Sequence, residues 1–258
     1  FFSPAFAYRV TDRLSVGISP IMSWQWFKGR GVASFGMLSK DPLNLSDRGT
    51  DHAFGLGVRV GAQYKASDSV RLGISYLSPI YMDEFEKYAG LFAKDGDFDV
   101  PPALTVGTSV RLDDTKTLYA DYQRIWYSRV EAVGNLFASP GQLGDADGPG
   151  FGWRNIDVFK LGLAWRASED WTFRAGYSYN DQPIRKSDIL FNVLAPGVVQ
   201  HHFTGGLSRR VVDGMELDVS VMYAPEESVT AANPFDPSQT IRLEMHQLEA
   251  TIGLSYTF

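Results

Sequence analysis

The feature of this chain that most limits its fold is a strict alternation of apolar residues with polar or small ones. In the segment 247–258, every second residue from Leu248 to Phe258 is apolar, and the residues between them are Gln, Glu, Thr, Gly and Ser. Successive side chains of a β-strand point to opposite faces, so one face of such a strand meets oil and the other meets water. The same alternation predicts eleven strands, at about 3–11, 14–26, 52–65, 70–81, 102–112, 117–129, 156–166, 171–180, 201–211, 215–224 and 244–258.

The connections between these strands alternate in length. The short ones lie near 12–13, 67–69, 113–116, 168–170 and 212–214, and the long ones span about 27–51, 82–101, 130–155, 181–200 and 225–243. Short turns at one end and long loops at the other are typical of an antiparallel transmembrane β-barrel, with its turns in the periplasm and its loops outside the cell. The alternative is a soluble all-β protein whose apolar face forms a core.

One predicted strand, 117–129, breaks the pattern. Arg124 falls on the same face as the apolar Leu118, Tyr122 and Trp126. A β-bulge, or an arginine that snorkels near the rim of the membrane, would each explain this position.

Composition excludes several other classes of protein. No run approaches 18 consecutive apolar residues, so a transmembrane helix is not expected. A net charge of −6 argues against a nucleic-acid partner. The absence of Cys agrees with an oxidising periplasm. Because Phe1 falls near the start of a predicted strand, we expect the N-terminal part of the protein to be missing from this sequence.

Several stretches resemble one known family. The strongest is DVFKLGLAWRASEDWTFRAGYSYNDQPI at 157–184, and AYRVTDRLSVGISP at 7–20 and DVPPALTVGTSVR at 99–111 agree with it. Together they resemble the FadL family of outer-membrane transporters of long-chain fatty acids and related hydrocarbons. The ending LSYTF at 254–258 is similar to the C-terminal signal of outer-membrane proteins.

The resemblance covers the whole chain and implies both fold and function. It implies that 1–258 is a single β-barrel domain, the last eleven strands of a fourteen-stranded monomeric barrel, without the N-terminal hatch and first strands. It implies passive uptake of a hydrophobic small molecule, captured on an apolar patch among the loops, passed to a pocket in the lumen and released sideways after the hatch shifts. No cofactor is implied, and the expected surroundings are outer-membrane lipid and lipopolysaccharide.

Two strand ends at the loop side supply candidates for ligand binding. The candidate residues are Trp26, Phe27, Lys28, Trp126, Tyr127 and Arg129. Phe27 falls on the inward face by parity, and Lys28 and Arg129 could bind a fatty-acid carboxylate. The alternative is that the Trp residues anchor the barrel at the membrane interface, while the cations snorkel or meet lipopolysaccharide phosphates.

Two loops are more apolar than a solvated loop. Phe85, Tyr88, Leu91 and Phe92 have helix-like spacing, which predicts a short amphipathic helix. The stretch ILFNVLAPGVV at 189–199 is also apolar. Either loop could form the capture patch, or the loops could pack on one another and cap the barrel.

Catalysis and metal binding are not expected. His201 and His202 are adjacent in a predicted strand, so they face opposite sides and cannot act together. The acidic loop at 144–148 lacks the later Glu and the spacing of a calcium loop. Two other functions remain open: a general polar porin with a charged constriction, and a structural or adhesive barrel whose loops bind a surface partner.

Overall fold

The structure, a computed structural model, describes residues 1–257 and consists of β-strands joined by short turns and long loops. The predicted terminal signal ends at Phe258, outside the described residues. The strands are β1 Phe6–Arg9, β2 Leu14–Phe27, β3 Asp51–Lys65, β4 Val70–Leu77, β5 Tyr81–Met82, β6 Ala103–Arg111, β7 Lys116–Ile125, β8 Ile156–Arg166, β9 Trp171–Asn180, β10 His201–Val212, β11 Met215–Asn233 and β12 Asp236–Tyr256.

These strands form one antiparallel sheet in chain order, β1-β2-β3-β4-β6-β7-β8-β9-β10-β11-β12, and β5 pairs with β3. The eleven predicted strands are therefore confirmed, and so is the up-and-down arrangement with short turns at one end. Several boundaries differ. β1 has four residues, and β7 ends at Ile125, so Tyr127–Arg129 forms a 3-10 turn instead of more strand.

The two faces of the sheet have opposite character. Leu118, Leu163 and Ala175 lie opposite one another on three adjacent strands and share the outer face. On that face, Leu161 is 56% exposed and Ile252 is 77% exposed. No second layer covers these side chains in residues 1–257, so they do not form the core of a soluble sandwich. They are the lipid-facing surface of a membrane sheet.

Arg124 lies on this outer face because an ion pair holds it there. The pairing of β7 with both neighbours is continuous from Thr117 to Ile125, so the bulge interpretation is wrong. Arg124 Nη1 lies 2.8 Å from Asp157 Oδ2, and the Tyr122 hydroxyl donates to Asp157 Oδ1 at 2.7 Å. Because Arg124 is the last residue but one of β7, the pair lies near the loop end of the wall, where polar headgroups are in reach.

The predicted loop at 225–243 is wrong, because β11 and β12 continue through it as a hairpin. Ala224 pairs with Gln247 and Glu227 pairs with Met245, so Pro225 and Glu226 together oppose a single residue of β12. A β-bulge of this kind exchanges the two faces of the strand beyond it. We call the part of the hairpin beyond the bulge, residues 227–245, the upper hairpin. It accordingly turns its apolar side chains inward, where Val229 and Leu243 are buried.

The loops contain only short helices. They are the 3-10 segments Ala33–Leu38, Pro42–Asn44, Glu86–Tyr88, Tyr127–Arg129, Lys186–Asp188 and Phe191–Leu194, with single α-turns at α1 Ala93–Gly96 and α2 Glu131–Gly134. The amphipathic helix predicted over 85–92 is wrong, since only Glu86–Tyr88 is helical there. Across residues 1–257, none of the helices has the length and hydropathy that spanning a membrane would need.

Candidate binding and transport site

Phe27 is the inward-facing residue on which the loops converge. Its ring centroid lies 4.8 Å from Tyr88, 4.9 Å from Phe92 and 5.9 Å from Phe85. The sequence predicts Phe27 as an inward-facing ligand-binding residue and Phe85, Tyr88 and Phe92 as part of a capture patch. The structure brings these two predicted sets together at the loop end of β2.

The predicted capture residues are packed inside the loops rather than on their surface. Phe85, Tyr88, Leu91 and Phe92 are between 0% and 3% exposed. Of the two interpretations of this loop, the arrangement agrees with loops that pack on one another and cap the barrel. Whether these side chains also bind a ligand stays a prediction.

The cluster around them is larger than the sequence indicated. We call it the loop core. Its aromatic members are Phe27, Phe35, Phe85, Tyr88, Phe92, Phe98, Phe137, Phe151, Trp153 and Phe191, and its fully buried leucines are Leu45, Leu91 and Leu143. Phe191 lies in the apolar stretch 189–199 that the sequence singles out, whereas Phe35, Phe98, Phe137, Phe151 and Trp153 were missed. They come from loops without periodicity, so no local pattern distinguishes them from exposed loop residues. The only signal was the unusual number of aromatic residues in connections that should be solvated.

Tyr88 joins the β2–β3 loop to the loop that follows β5. Its hydroxyl accepts a hydrogen bond from the Gly29 N–H at 3.0 Å and donates one to the Gly49 carbonyl at 2.6 Å. The side chain is fully buried, so these bonds satisfy a hydroxyl that would otherwise be costly to bury. Gly90 lies next to this site, where a side chain would collide with the Asp41 carbonyl.

Asn192 makes the corresponding join between the β7–β8 and β9–β10 loops. Its Oδ1 accepts from Trp153 Nε1 at 2.6 Å, and its Nδ2 donates to the carbonyls of Phe151 and Asp188 at 2.6 and 2.8 Å. Asp188 is also buried, and its Oδ1 accepts from the Phe137 N–H at 2.6 Å. The 189–199 loop is therefore fixed by hydrogen bonds as well as by apolar packing.

An ionic cluster joins the loop that follows β5 to the β7–β8 loop. Lys94 Nζ lies 2.7 Å from Glu131 Oε1 and 3.9 Å from Asp97 Oδ2. Burial, with the adjacent Asp99 carboxylate, raises the pKa of Asp97 to about 7. Lys94 itself has a raised pKa because of its hydrogen bond to Glu131. The contact between these two loops therefore contains a carboxyl group, that of Asp97, with a pKa near neutral pH.

The remaining ligand candidates lie apart from Phe27. Trp26 is on the outer face, 67% exposed, with its ring edge-on to Trp24 at 6.0 Å. Trp126 lies 6.4 Å from Tyr76, another residue of the outer face. These positions agree with the interpretation of the Trp residues as interface anchors. Tyr127 packs edge-on to Trp153 at 5.0 Å, and burial raises its pKa.

The two predicted carboxylate contacts are both at the surface. Lys28 is exposed and has no ion pair within residues 1–257. Arg129 is exposed as well, and its guanidinium lies 5.5 Å above the Trp126 ring. No contact joins the two cations to each other in the described residues. A carboxylate site made by both of them is therefore not preformed.

The inner face of the membrane part is polar. Ser208 is buried and hydrogen-bonds Arg174 and Asp218, and Lys160 Nζ donates to Gln123 Oε1 at 3.0 Å. Two cavities of about 670 and 590 Å³ lie along this face. Both have Tyr119 and Asp121 in their walls.

The histidine prediction is confirmed in its geometry. His201 lies on the outer face with its Nδ1 2.8 Å from the Tyr177 hydroxyl. His202 points to the inner face, where its side chain is partly buried. Among the described residues, no cluster of three or more His, Cys, Asp or Glu side chains could hold a metal ion.

The comparisons with known proteins agree with this architecture. The profile of a family described as outer membrane protein transport protein (OMPP1/FadL/TodX) matches residues 1–258. No curated protein sequence matches the chain.

Three solved structures show the same fold. The Pseudomonas putida toluene transporter TodX is 21% identical, with a TM-score of 0.68 over 98% of this chain and 68% of its own. The Ralstonia pickettii toluene transporter TbuX is 20% identical, with a TM-score of 0.63 over 99% of this chain and 67% of its own. A Pseudomonas aeruginosa FadL homologue is 16% identical, with a TM-score of 0.57 over 98% of this chain and 64% of its own.

The family profile covers every strand, and the resemblance inferred from the sequence is confirmed. The fold, the lipid-facing outer surface and the polar inner face are those expected of a protein of the outer membrane. The chain belongs to the OMPP1/FadL/TodX family of outer-membrane transport proteins.

Proposed function

We propose that this protein carries uncharged hydrophobic molecules, of the size of a monoaromatic hydrocarbon, passively across the outer membrane. The observation that carries the proposal is the loop core, an aromatic interior that lies above a polar lumen. A polar porin has no need of an apolar interior at its mouth, because its solutes are hydrated. A hydrophobic solute gains roughly 1.5–3 kcal/mol when a group the size of one Phe side chain leaves water.

The polarity of the wall supports a route that begins in the loops. The upper hairpin and the loops are apolar inside, whereas the lumen below contains Lys160, Arg174 and Asp218. A solute that leaves the loop core downward loses its apolar surroundings. Release through the wall into the lipid avoids that loss, in agreement with the sideways exit that the family resemblance implies.

The ionic groups near the loop core support an uncharged substrate. Lys94 is neutralised by Glu131, and Lys40 lies 2.7 Å from Asp95 and 3.4 Å from Asp145. A fatty acid would need a cation that is available to its carboxylate. For an acidic substrate, Lys28 and Arg129 remain the proposed contacts, and the exposed guanidinium of Arg129 favours this second candidate function.

The experiment compares uptake of radiolabelled toluene and of radiolabelled oleate. Cells that lack their own transporters for these molecules would express the full-length protein. We expect toluene uptake above that of cells with an empty vector, and uptake of a small sugar at the control level. The double variant K28A/R129A should leave toluene uptake unchanged. Oleate uptake that this variant abolishes would instead establish the fatty-acid function.

The route contains no step that requires catalysis. We propose that the protein has no enzymatic activity and acts as a monomer, with its outer face in contact with lipid and lipopolysaccharide. Equal uptake before and after collapse of the proton gradient would support the passive mechanism. Uptake that stops with the gradient would contradict it.

A further inference from the structure

A second aromatic feature lies at the tip of the β11–β12 hairpin, far along the chain from the loops predicted to capture ligand. Phe235 lies in the tip and is 62% exposed. Its ring is edge-on to Phe137 at 5.7 Å, and Phe137 lies 6.5 Å from Phe191. The line of three rings therefore begins in solvent and ends in the loop core, where Phe191 is 1% exposed.

The line continues without interruption to the mouth of the barrel. Phe191 stacks on Phe151 at 5.0 Å, and Phe151 is edge-on to Phe98 at 6.2 Å. Phe98 then lies 4.9 Å from Phe92, which lies 4.9 Å from Phe27. Phe27 is the inward-facing end of β2. A series of adjacent rings thus connects the exposed surface at Phe235 to the inward-facing ring of Phe27 at the loop end of β2.

The outer rings are held in place by polar contacts of their backbone. The Phe235 N–H donates to Asn233 Oδ1 at 3.0 Å, which fixes the turn that presents the ring. The Phe137 N–H donates to the buried Asp188 at 2.6 Å. An exposed aromatic ring on a fixed backbone is a ready contact for an apolar ligand, because little conformational entropy is lost on binding.

The surroundings of these rings determine the charge of the ligand they fit. In the described part of the chain, the two cation–π contacts involve Trp126 and Trp171, and neither belongs to this line. At the outer end of the line, no salt bridge of the described residues includes a chain neighbour of Phe235 or Phe137, and the charged group that contacts Phe137 is the carboxylate of Asp188. Such a site favours an uncharged aromatic or aliphatic molecule over a carboxylate.

We propose that Phe235 and Phe137 form the entry site at which an uncharged hydrophobic substrate leaves water, and that the line of rings leads it to Phe27. This inference rests on the proposed function and names the residues through which the substrate enters. It differs from the sequence prediction, which placed capture at Phe85, Tyr88, Leu91 and Phe92 or in the stretch 189–199.

The test is initial-rate uptake of radiolabelled toluene over a range of concentrations by cells that express full-length variants. Phe235→Ser should lower uptake at low concentration roughly three- to tenfold, the effect of removing one aromatic contact. The rate at saturating toluene should be unchanged. Phe235→Trp should restore uptake, since it keeps an apolar ring at the tip. The matched control is Met37→Ser, which removes a side chain that is 93% exposed on a different loop.

The outcomes separate this inference from the proposed function. Wild-type uptake with an unaffected Phe235→Ser variant would overturn the entry site and leave the transport function standing. An equal loss in Phe235→Ser and Met37→Ser would also overturn it, because the effect would then belong to general surface hydrophobicity. Absence of uptake by the wild type would overturn the transport function and the entry site with it.

Discussion

An arginine placed on the outer face of β11 should destabilise the protein folded in the membrane, whereas the same residue one position later should not. Val219 lies halfway along the membrane part of β11 and pairs with Leu207 and Ile252, which share its face. The next residue, Ser220, faces the lumen and lies in the wall of a cavity with Asp218 and Glu249. Val219→Arg and Ser220→Arg therefore compare the two faces at the same depth.

The expected difference follows from the cost of a charge in hydrocarbon. An arginine on the lipid face at the bilayer midplane costs roughly 2–4 kcal/mol in barrel proteins. Since 1.4 kcal/mol changes an equilibrium constant tenfold, Val219→Arg should lower the folding equilibrium constant roughly 30- to 700-fold. In Ser220→Arg the new cation is hydrated and lies in the same cavity as two carboxylates, so its cost should be within about 0.5 kcal/mol.

The assay is a urea titration of full-length protein refolded into phosphatidylcholine vesicles, with the folded fraction measured from gel mobility without heating. Val219→Arg should shift the midpoint to lower urea, and Ser220→Arg should coincide with the wild type. Equal shifts in both variants, or a larger shift for Ser220→Arg, would refute the assignment of inner and outer faces.

Three other predictions concern the loops. Asn192→Leu should destabilise the cap by about 1–3 kcal/mol for each polar group left without its partner, seen as faster proteolysis of the loops in the inserted protein. The raised pKa of Asp97 means that the folded state holds this proton more tightly than the unfolded chain does, so stability should fall as the pH rises from about 4 to 7 and then level off. Asp97→Asn should flatten that part of the profile in a series of thermal melts, and an unchanged slope would contradict the assignment. Deletion of Pro225 should remove the bulge and leave Val229 inward, because Glu226 alone would then oppose His246 and the pairing of Val229 with Leu243 would be kept. The hairpin tip should therefore resist protease as well as it does in the wild type, and faster cleavage of the tip would contradict the assignment of the bulge.

The strands could be predicted because the signal for each is local. The predicted spans 156–166 and 171–180 coincide with β8 and β9, since the alternation within each strand and the short turn between them leave a single register. Phe27 was assigned correctly to the inner face by the same counting. Each of these inferences needs only a run of adjacent residues and the period of two.

The loop core could not be predicted in this way. Phe27 ends β2, and Phe92 and Phe151 belong to two different loops, so their contacts depend on how the loops fold over the end of the strand. The upper hairpin was missed for a different reason. Val229 and Ala231 do alternate with polar residues, but the bulge puts them on the face opposite to that of the lower strand. In the sequence, the alternation is interrupted by Pro225, Glu226 and Glu227, so the segment beyond them is interpreted as a loop.

Because the faces of β11 exchange at Pro225, one strand presents apolar side chains to the lipid in its lower part and to the loops in its upper part. Below the bulge, β11 turns its apolar residues to the lipid, and above it the same strand turns them to the loops. β12 makes the change without a bulge, since Met245 is inward and Leu248 is outward. The apolar face of the wall is therefore the inner face above the level of Ala224 and Gln247 and the outer face below it. A solute the size of toluene that continued down the polar lumen would lose roughly 2–3 kcal/mol of burial. At this level the apolar interior of the loops adjoins the apolar outer face of the wall, which supports the sideways release proposed above.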